Sequence, residues 1–276
     1  LTESTKKITD RLGNDGYAFA NINAAPELNK EKRTAAFTFF VDPGRRVYVR
    51  RINIAGNSRT RDEVIRREMR QLESGWYNAQ SVTLSKQRID KLGYFTEVTV
   101  ENPAVQGTTD QVDVNFTVTE KPTGNILLGA GFGSGSGLIL SGSVVQQNIF
   151  GSGKHLGLQV SSGKLNTIYS LSYTDPYFTQ DGVSVGYDIT HRKIDAQAAG
   201  QGQYRVNTAG TNVRFGVPIS EIDTILYGIG YEDTHITIFP GVSPLYYTDY
   251  VNTFGAHNTA VTPNVGWVRD GRDSLI

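Results

Sequence analysis

From residue 125 onward the chain repeats one device: a run of about ten residues in which large apolar and small or polar side chains take turns, closed by turn residues. Leu156, Leu158 and Val160 alternate with Gly157, Gln159 and Ser161, and Tyr169, Leu171 and Tyr173 with Ser170, Ser172 and Thr174. Val183, Val185, Tyr187 and Ile189 alternate with Ser184, Gly186, Asp188 and Thr190, and Val213, Phe215 and Val217 with Asn212, Arg214 and Gly216. Ile225, Tyr227, Ile229 and Tyr231 do so with Gly228, Gly230 and Glu232. A period of two belongs to a strand whose faces meet different surroundings, and no helix can satisfy it. Runs at 125–134 and 137–147, and one ending at Val265 and Trp267, bring the expected strands to eight. Tyrosines at strand ends with serine or glycine on the other face fit a membrane β-barrel with a lipid-facing band and a wet interior. A soluble β-sandwich also alternates and is the competing fold.

Connector lengths alternate too. Turns at 148–153, 174–182 and 218–222 interleave with tips at 133–137, 163–166, 193–202 and 234–257, the last two being the longest. Long loops at one end and short turns at the other suggest extracellular tips opposite periplasmic turns.

Composition changes near residue 121. The first 121 residues hold 19 basic and 16 acidic residues, and the remaining 155 hold 8 and 11; glycine rises from 7 to 23 across the same point. Over the whole chain 27 basic and 27 acidic groups cancel, so a strongly charged partner is not the defining feature. No run approaches the roughly 18 apolar residues of a spanning helix. The absence of cysteine excludes a disulfide framework and thiol chemistry.

The first part mixes two periods. Ile65, Met69 and Leu72 share a helical face over 60–72, with Thr60 and Glu63 at capping-box spacing. Asn78 can cap a second helix carrying Val82, Ile89 and Leu92 on one face, and Gly93 stands where a C-terminal glycine would end it. Val47–Ile54, Phe95–Val100 and Val112–Val118 alternate as strands, which gives the order β-α-α-β-β. Asp10-Arg11-Leu12-Gly13 recurs as Asp90-Lys91-Leu92-Gly93, each followed by two strand-like runs, with Tyr17–Ala24 and Thr34–Val41 as the first pair. Residues 1–46 therefore read as the back half of such a module, 47–121 as a complete one, 122–124 as a short linker and 125–276 as barrel.

Several stretches resemble the BamA family of outer-membrane assembly barrels. They include Arg45 to Ile52 with Gly56-Asn57, Arg66 to Gln71, Leu92-Gly93-Tyr94-Phe95, Phe150 to Gly153, and Asp175 to Thr179 with Asp181-Gly182. The resemblance covers essentially the whole chain. It implies a transmembrane antiparallel β-barrel preceded by α+β POTRA modules, in the cell outer membrane with the modules in the periplasm. Complete members carry five POTRA modules and sixteen strands. The chain is thus expected to be a fragment with the last module, part of the one before and the first eight strands; the conserved Val-Arg-Gly-Phe loop and the closing strand would lie beyond Ile276.

Two places stand out as sites. In the opening strand Gly129, Gly131 and Gly133 occupy one face, opposite Ile126 and Leu128, and remove side chains that would pin the register. In the family this strand meets the closing strand at a seam, so a weak seam could open and template an incoming strand; glycines that merely fit a crowded wall are the plainer reading. The second is a tract over 45–70 with nine arginines against Asp62, Glu63 and Glu68. Stacking aromatics are few there, so nucleic acid is not the expected partner. Arg66, Arg70 and Glu73, at i, i+4 and i+7, should face solvent together, as an ordinary solvated face or, as the resemblance implies, a docking face for accessory outer-membrane lipoproteins. Nascent outer-membrane β-barrel proteins and outer-membrane lipids complete the implied partners.

Catalysis is not expected. His155, His191, His235 and His257 are scattered without ligand spacing, and Ser143 and Ser172 have no nucleophile elbow or triad order around them. No metal or cofactor is called for. The implied function is an insertase subunit; the alternatives are a two-partner-secretion transporter and, from another class, a passive porin.

Overall fold

A computed structural model describes residues 2–29, 33–133 and 135–272, with residues to Lys121 in one compact unit and Pro122–Gly271 in another. Ser134, the expected end of the first barrel run, and the expected boundary residue Ile276 lie outside the described residues.

The first unit opens with α1 (Thr2–Asn14) and the antiparallel pair β1 (Asn21–Asn29) and β2 (Thr34–Asp42). β1 starts four residues later than the alternation places it. A second module follows as β3 (Tyr48–Ala55), α2 (Asp62–Arg66), α3 (Ala79–Lys91), β4 (Phe95–Glu101) and β5 (Gln111–Glu120). Its sheet runs β3-β5-β4, with β3 parallel to β5 and β4 antiparallel to it. Val49, Val64, Ile65, Ile89, Val114 and Phe116 are fully buried between sheet and helices, each contributing about 1.5–3 kcal/mol in transfer from water. A register shift between Val49 and Arg51 lets both Val49 and Ile52 face the core despite their odd spacing.

The helix α3 forms as the sequence dictates. The Asn78 side chain accepts from Ser81 N at 2.8 Å, Val82 and Ile89 are buried, and Gly93 closes the end with φ +73°. The helix expected over 60–72 is corrected to five residues. Its N-cap is Arg61 without a side-chain bond, and the Thr60–Glu63 capping box does not form. Thr60 N donates instead to Glu120 Oε1 at 2.7 Å, and Arg59 N and the Ser58 hydroxyl also donate to that carboxylate. Burial alone would raise the Glu120 carboxyl, but the donors from Thr60, Arg59 and Ser58 outweigh it and hold the carboxyl below its usual range. Beyond Arg67 the chain must turn to reach β3. The Gln71 carboxamide holds that turn, donating to the Leu72 and Trp76 carbonyls and accepting from Asn78 N. Leu72 consequently leaves the expected core stripe and is 71% exposed.

The second unit is an eight-stranded antiparallel meander: β6 (Gly124–Gly133), β7 (Gly137–Gln146), β8 (His155–Ser162), β9 (Asn166–Asp175), β10 (Ser184–Asp195), β11 (Tyr204–Pro218), β12 (Asp223–Ile238) and β13 (His257–Arg269). One register row reads Ile126, Val144, Leu158, Leu171, Ile189, Thr211, Tyr231 and Val261 across all eight strands. The row one residue along reads Leu127, Ser143, Gln159, Ser170, Thr190, Gly210, Glu232 and Ala260. An apolar face backed by a polar one, on strands of 8–16 residues, is the wall of a transmembrane barrel rather than a two-sheet sandwich. On the polar face Arg214 grips Asp188 with two donors, at 2.6 and 3.0 Å.

The sequence reading gives 234–257 as a loop tip without secondary structure of its own, and here the structure adds a helix. The tip between β12 and β13 carries α4 (Leu245–Phe254). Its sequence, rich in tyrosine and without a capping side chain, has strand-like composition. Tyr247 stacks on Tyr204 at 4.3 Å, a tertiary contact that no local pattern announces. Among the described residues no helix is long and apolar enough to cross a membrane.

Candidate functional site

Two strand edges carry the chemistry. Among the described residues β6 stands at one end of the large sheet and pairs with β7 alone. Gly129, Gly131 and Gly133 lie on the polar face opposite Ser141, Ile139 and Gly137, while Ile126, Leu128 and Phe132 project from the apolar face, 68%, 86% and 83% exposed. A Cβ on Gly129 would meet the Ser141 hydroxyl at 2.7 Å, whereas one on Gly131 would meet nothing within 4 Å. Crowding by described residues therefore does not demand glycine at 131. The absence of a side chain there removes contacts without relieving any clash.

Short turns lie at one end of this sheet. Ile149–Gly151 makes a single 3₁₀ turn, and Asn148 Oδ1 accepts from Gly153 N at 2.7 Å. Lys154, just before β8, pairs with Asp175 at 3.0 Å, and this carboxylate, with the Tyr173 hydroxyl, holds the ammonium above its usual range. Asp175 Oδ1 also accepts from Tyr177 N, so one carboxylate ties the Asp175-Pro176-Tyr177-Phe178 turn to the neighbouring one.

The other edge is β3, where the three expected docking residues come apart. Glu73 Oε1 accepts from Ile52 N at 2.8 Å, and the Arg66 guanidinium, 3.6 Å from Glu73, reaches the Ile52 carbonyl at 3.4 Å. Together they clamp the outward-facing peptide groups of β3. Ser74 N to Val49 O, Val49 N to Gly75 O and Tyr77 N to Val47 O continue that coverage. The Arg70 backbone N–H donates to the Ser85 hydroxyl of α3 at 2.8 Å, and its guanidinium to the Met69 carbonyl at 3.3 Å. Arg66 and Glu73 thus share a surface that Arg70 does not join as part of a helical stripe, because α2 ends at Arg66. Sequence periodicity could not show the clamp, which depends on a return of the chain to β3.

With β3 covered, the sheet of this module ends on its other side at β4, which among the described residues pairs with β5 alone. The histidines are less scattered than their sequence positions suggest. His235 and His257 lie opposite one another on β12 and β13, and His257 Nε2 sits 2.5 Å from Asp233 Oδ1. Among the described residues no group of three or more metal-type ligands converges.

Comparison with known proteins follows the same division of the chain. Residues 1–44 and 47–121 match the POTRA family described as a surface antigen variable number repeat, and residues 148–276 match the Omp85 superfamily domain. The outer membrane protein assembly factor BamA of Neisseria meningitidis serogroup B is 39% identical over 98% of this chain, and that of Buchnera aphidicola 29% identical over 84%. This chain spans about a third of the length of these curated relatives, 34% and 37%. The crystal structure of Haemophilus ducreyi BamA lacking POTRA domains 1–3 matches at 35% identity and a TM-score of 0.74, covering 98% of this chain and 54% of that one.

Proposed function

This chain belongs to the Omp85 superfamily, and from that membership we propose that it forms part of a non-enzymatic machine that assembles outer-membrane β-barrels. The protein lies in the outer membrane with its POTRA modules in the periplasm. POTRA modules receive unfolded barrel proteins, and β6 templates their insertion. The observation that carries this reading is the glycine at 131 of β6, which no described neighbour requires and which leaves an opened edge there without a side chain to pin it. Unsatisfied N–H and C=O groups each cost several kcal/mol in hydrocarbon, so strand addition at such an edge is downhill without fuel. The deciding measurement is folding of a client barrel into liposomes holding the full-length protein. Acceleration over empty liposomes is expected; ion conductance with no effect on clients would establish a passive porin instead.

The Arg66–Glu73 surface is the proposed docking face for accessory lipoproteins. Its two charge signs favour specificity over raw affinity. Glu73→Lys reverses the charge and also removes the acceptor for Ile52 N, so a second variant is needed. Glu73→Gln keeps an oxygen for that bond while deleting the charge. Recovery of a lipoprotein partner in pull-downs should fall about threefold or more for both variants. Full recovery with Glu73→Gln would locate docking elsewhere.

A further inference from the structure

The lipid-facing side of the sheet changes chemistry abruptly near one end. The row Leu171, Ile189, Thr211, Tyr231 and Val261, on β9 to β13, still belongs to the apolar band. Two residues further along the same face the row reads Tyr169, His191, Ala209, Asp233 and Thr259, and the next reads Thr167, Lys193, Asn207, His235 and His257. Beyond them Asp195 stands opposite Arg205. Ring contacts follow the shared face, with Tyr169 at 6.2 Å from His191 and His235 at 6.3 Å from His257. β6 begins three residues after β5 ends the periplasmic module, so in an up-and-down meander the end where β10 and β12 finish is the outer one. Within this polar cap one carboxylate sets two cations. The Asp195 side chain, only 10% exposed, accepts from Ala198 N at 2.9 Å and from Arg205 Nε at 3.2 Å, and lies 3.4 Å from Lys193 Nζ. The Arg205 guanidinium also donates to Gln197 at 2.8 Å. Lys193 and Arg205 stay nearly half exposed, and His191 and His235 are exposed beside them. The other acid of these rows, Asp233, is paired with His257.

We propose that this cap binds the phosphate of a lipid headgroup in the outward-facing leaflet, with Lys193 and Arg205 as its cations and His191 and His235 as flanking groups. Charge selects that occupant, because two cations share one buried carboxylate, and an ammonium with a guanidinium offers more N–H donors than the acceptors around them take up. Depth selects it too. The cap begins about 6–7 Å along the strands from the last apolar row, where a headgroup sits when its acyl chains lie against Leu171, Ile189 and Tyr231. The proposal depends on the place of the barrel in the outer membrane and not on its action on clients.

The probes are phosphatidic acid, which bears a bare phosphate, and phosphatidylcholine, in which a choline offsets it. Native mass spectrometry of the full-length protein, released from detergent, resolves the first lipid bound. Phosphatidic acid should bind about fivefold more tightly than phosphatidylcholine, and the preference should shrink as ionic strength rises. Lys193→Gln with His235→Gln should reduce it to less than about twofold, while Asp195 keeps its bonds to Arg205 and Ala198 and the thermal midpoint stays unchanged. Lys193→Arg, which keeps the charge, should retain it. Replacing acetate by inorganic phosphate at equal ionic strength should leave the lipid preference as it was. Its loss there would assign the cap to a free anion and overturn the lipid reading. Equal binding of the two lipids by the parent protein, or a preference undiminished in the double variant, would overturn the site itself.

Discussion

A disulfide that fastens β6 to the strand closing the barrel should cut client assembly by at least about thirtyfold, with full recovery on reduction. The size follows from what the bond does to an opening equilibrium. A crosslink typically contributes about 2–4 kcal/mol against separation of the segments it joins, equivalent to a factor of roughly thirty to nearly a thousand in the open population. Gly131 is the position to use. A Cβ there meets no described atom within 4 Å, so cysteine is accommodated without strain. Paired strands hold opposite Cα atoms about 4.5–5.5 Å apart, within disulfide range. Residues 1–276 contain no cysteine to interfere. The single Gly131→Cys variant, unable to crosslink, isolates the lock from the substitution. Locked and reduced proteins that assembled clients at the same rate would remove templating at β6 from the mechanism and leave the barrel as scaffold or pore.

Different parts of this architecture were legible to different degrees. The membrane sheet could be read almost strand for strand, because a wall between lipid and water imposes alternation along every strand; the rows through Ile126 and Leu127 show that constraint surviving across eight strands. α3 was equally plain, since its cap, its core face and its terminal glycine are local signals that agree. Failures occurred where a distant residue decides the backbone. Thr60 looks like a cap, but its N–H is taken by Glu120, sixty residues away in sequence. The heptad-like spacing of Arg66, Arg70 and Glu73 implied one helical face, yet the return of Ser74–Tyr77 to β3 ends the helix and puts Glu73 on a strand edge. α4 was missed because its aromatic residues favour strands intrinsically and its stacking on Tyr204 is tertiary.

Glu68 shows how much such non-local pairing can weigh. It sits four residues from Val64 in a segment that reads as solvated, yet its side chain is only 5% exposed and lies 2.7 Å from Arg88 of α3. Tyr94 is beside it, with its hydroxyl pushed up to about 12, first by burial and further by the Glu68 charge, against the opposing pull of Arg67. Removing one partner of a buried ion pair strands the other charge in a low-dielectric setting, at a cost of about 3–5 kcal/mol. Since a domain holds only about 5–15 kcal/mol in total, Arg88→Met should bring the second POTRA module close to unfolding. Replacing both partners tells the pair's attraction apart from the cost of the orphaned carboxylate. Glu68→Leu with Arg88→Met removes both members of the pair and leaves the buried guanidinium of Arg67, and its stability should lie closer to the parent than that of Arg88→Met alone. Trp76 reports on this module and Trp267 is the other tryptophan of residues 1–276, so urea titration of this 276-residue chain in a Trp267→Phe background follows the module by fluorescence. An Arg88→Met penalty below about 1 kcal/mol would mean that water reaches Glu68 and that the pair is a surface contact in energetic terms. A double variant as unstable as the single one would point instead to lost packing of the Arg88 stem or to the Arg67 guanidinium left without the Glu68 charge.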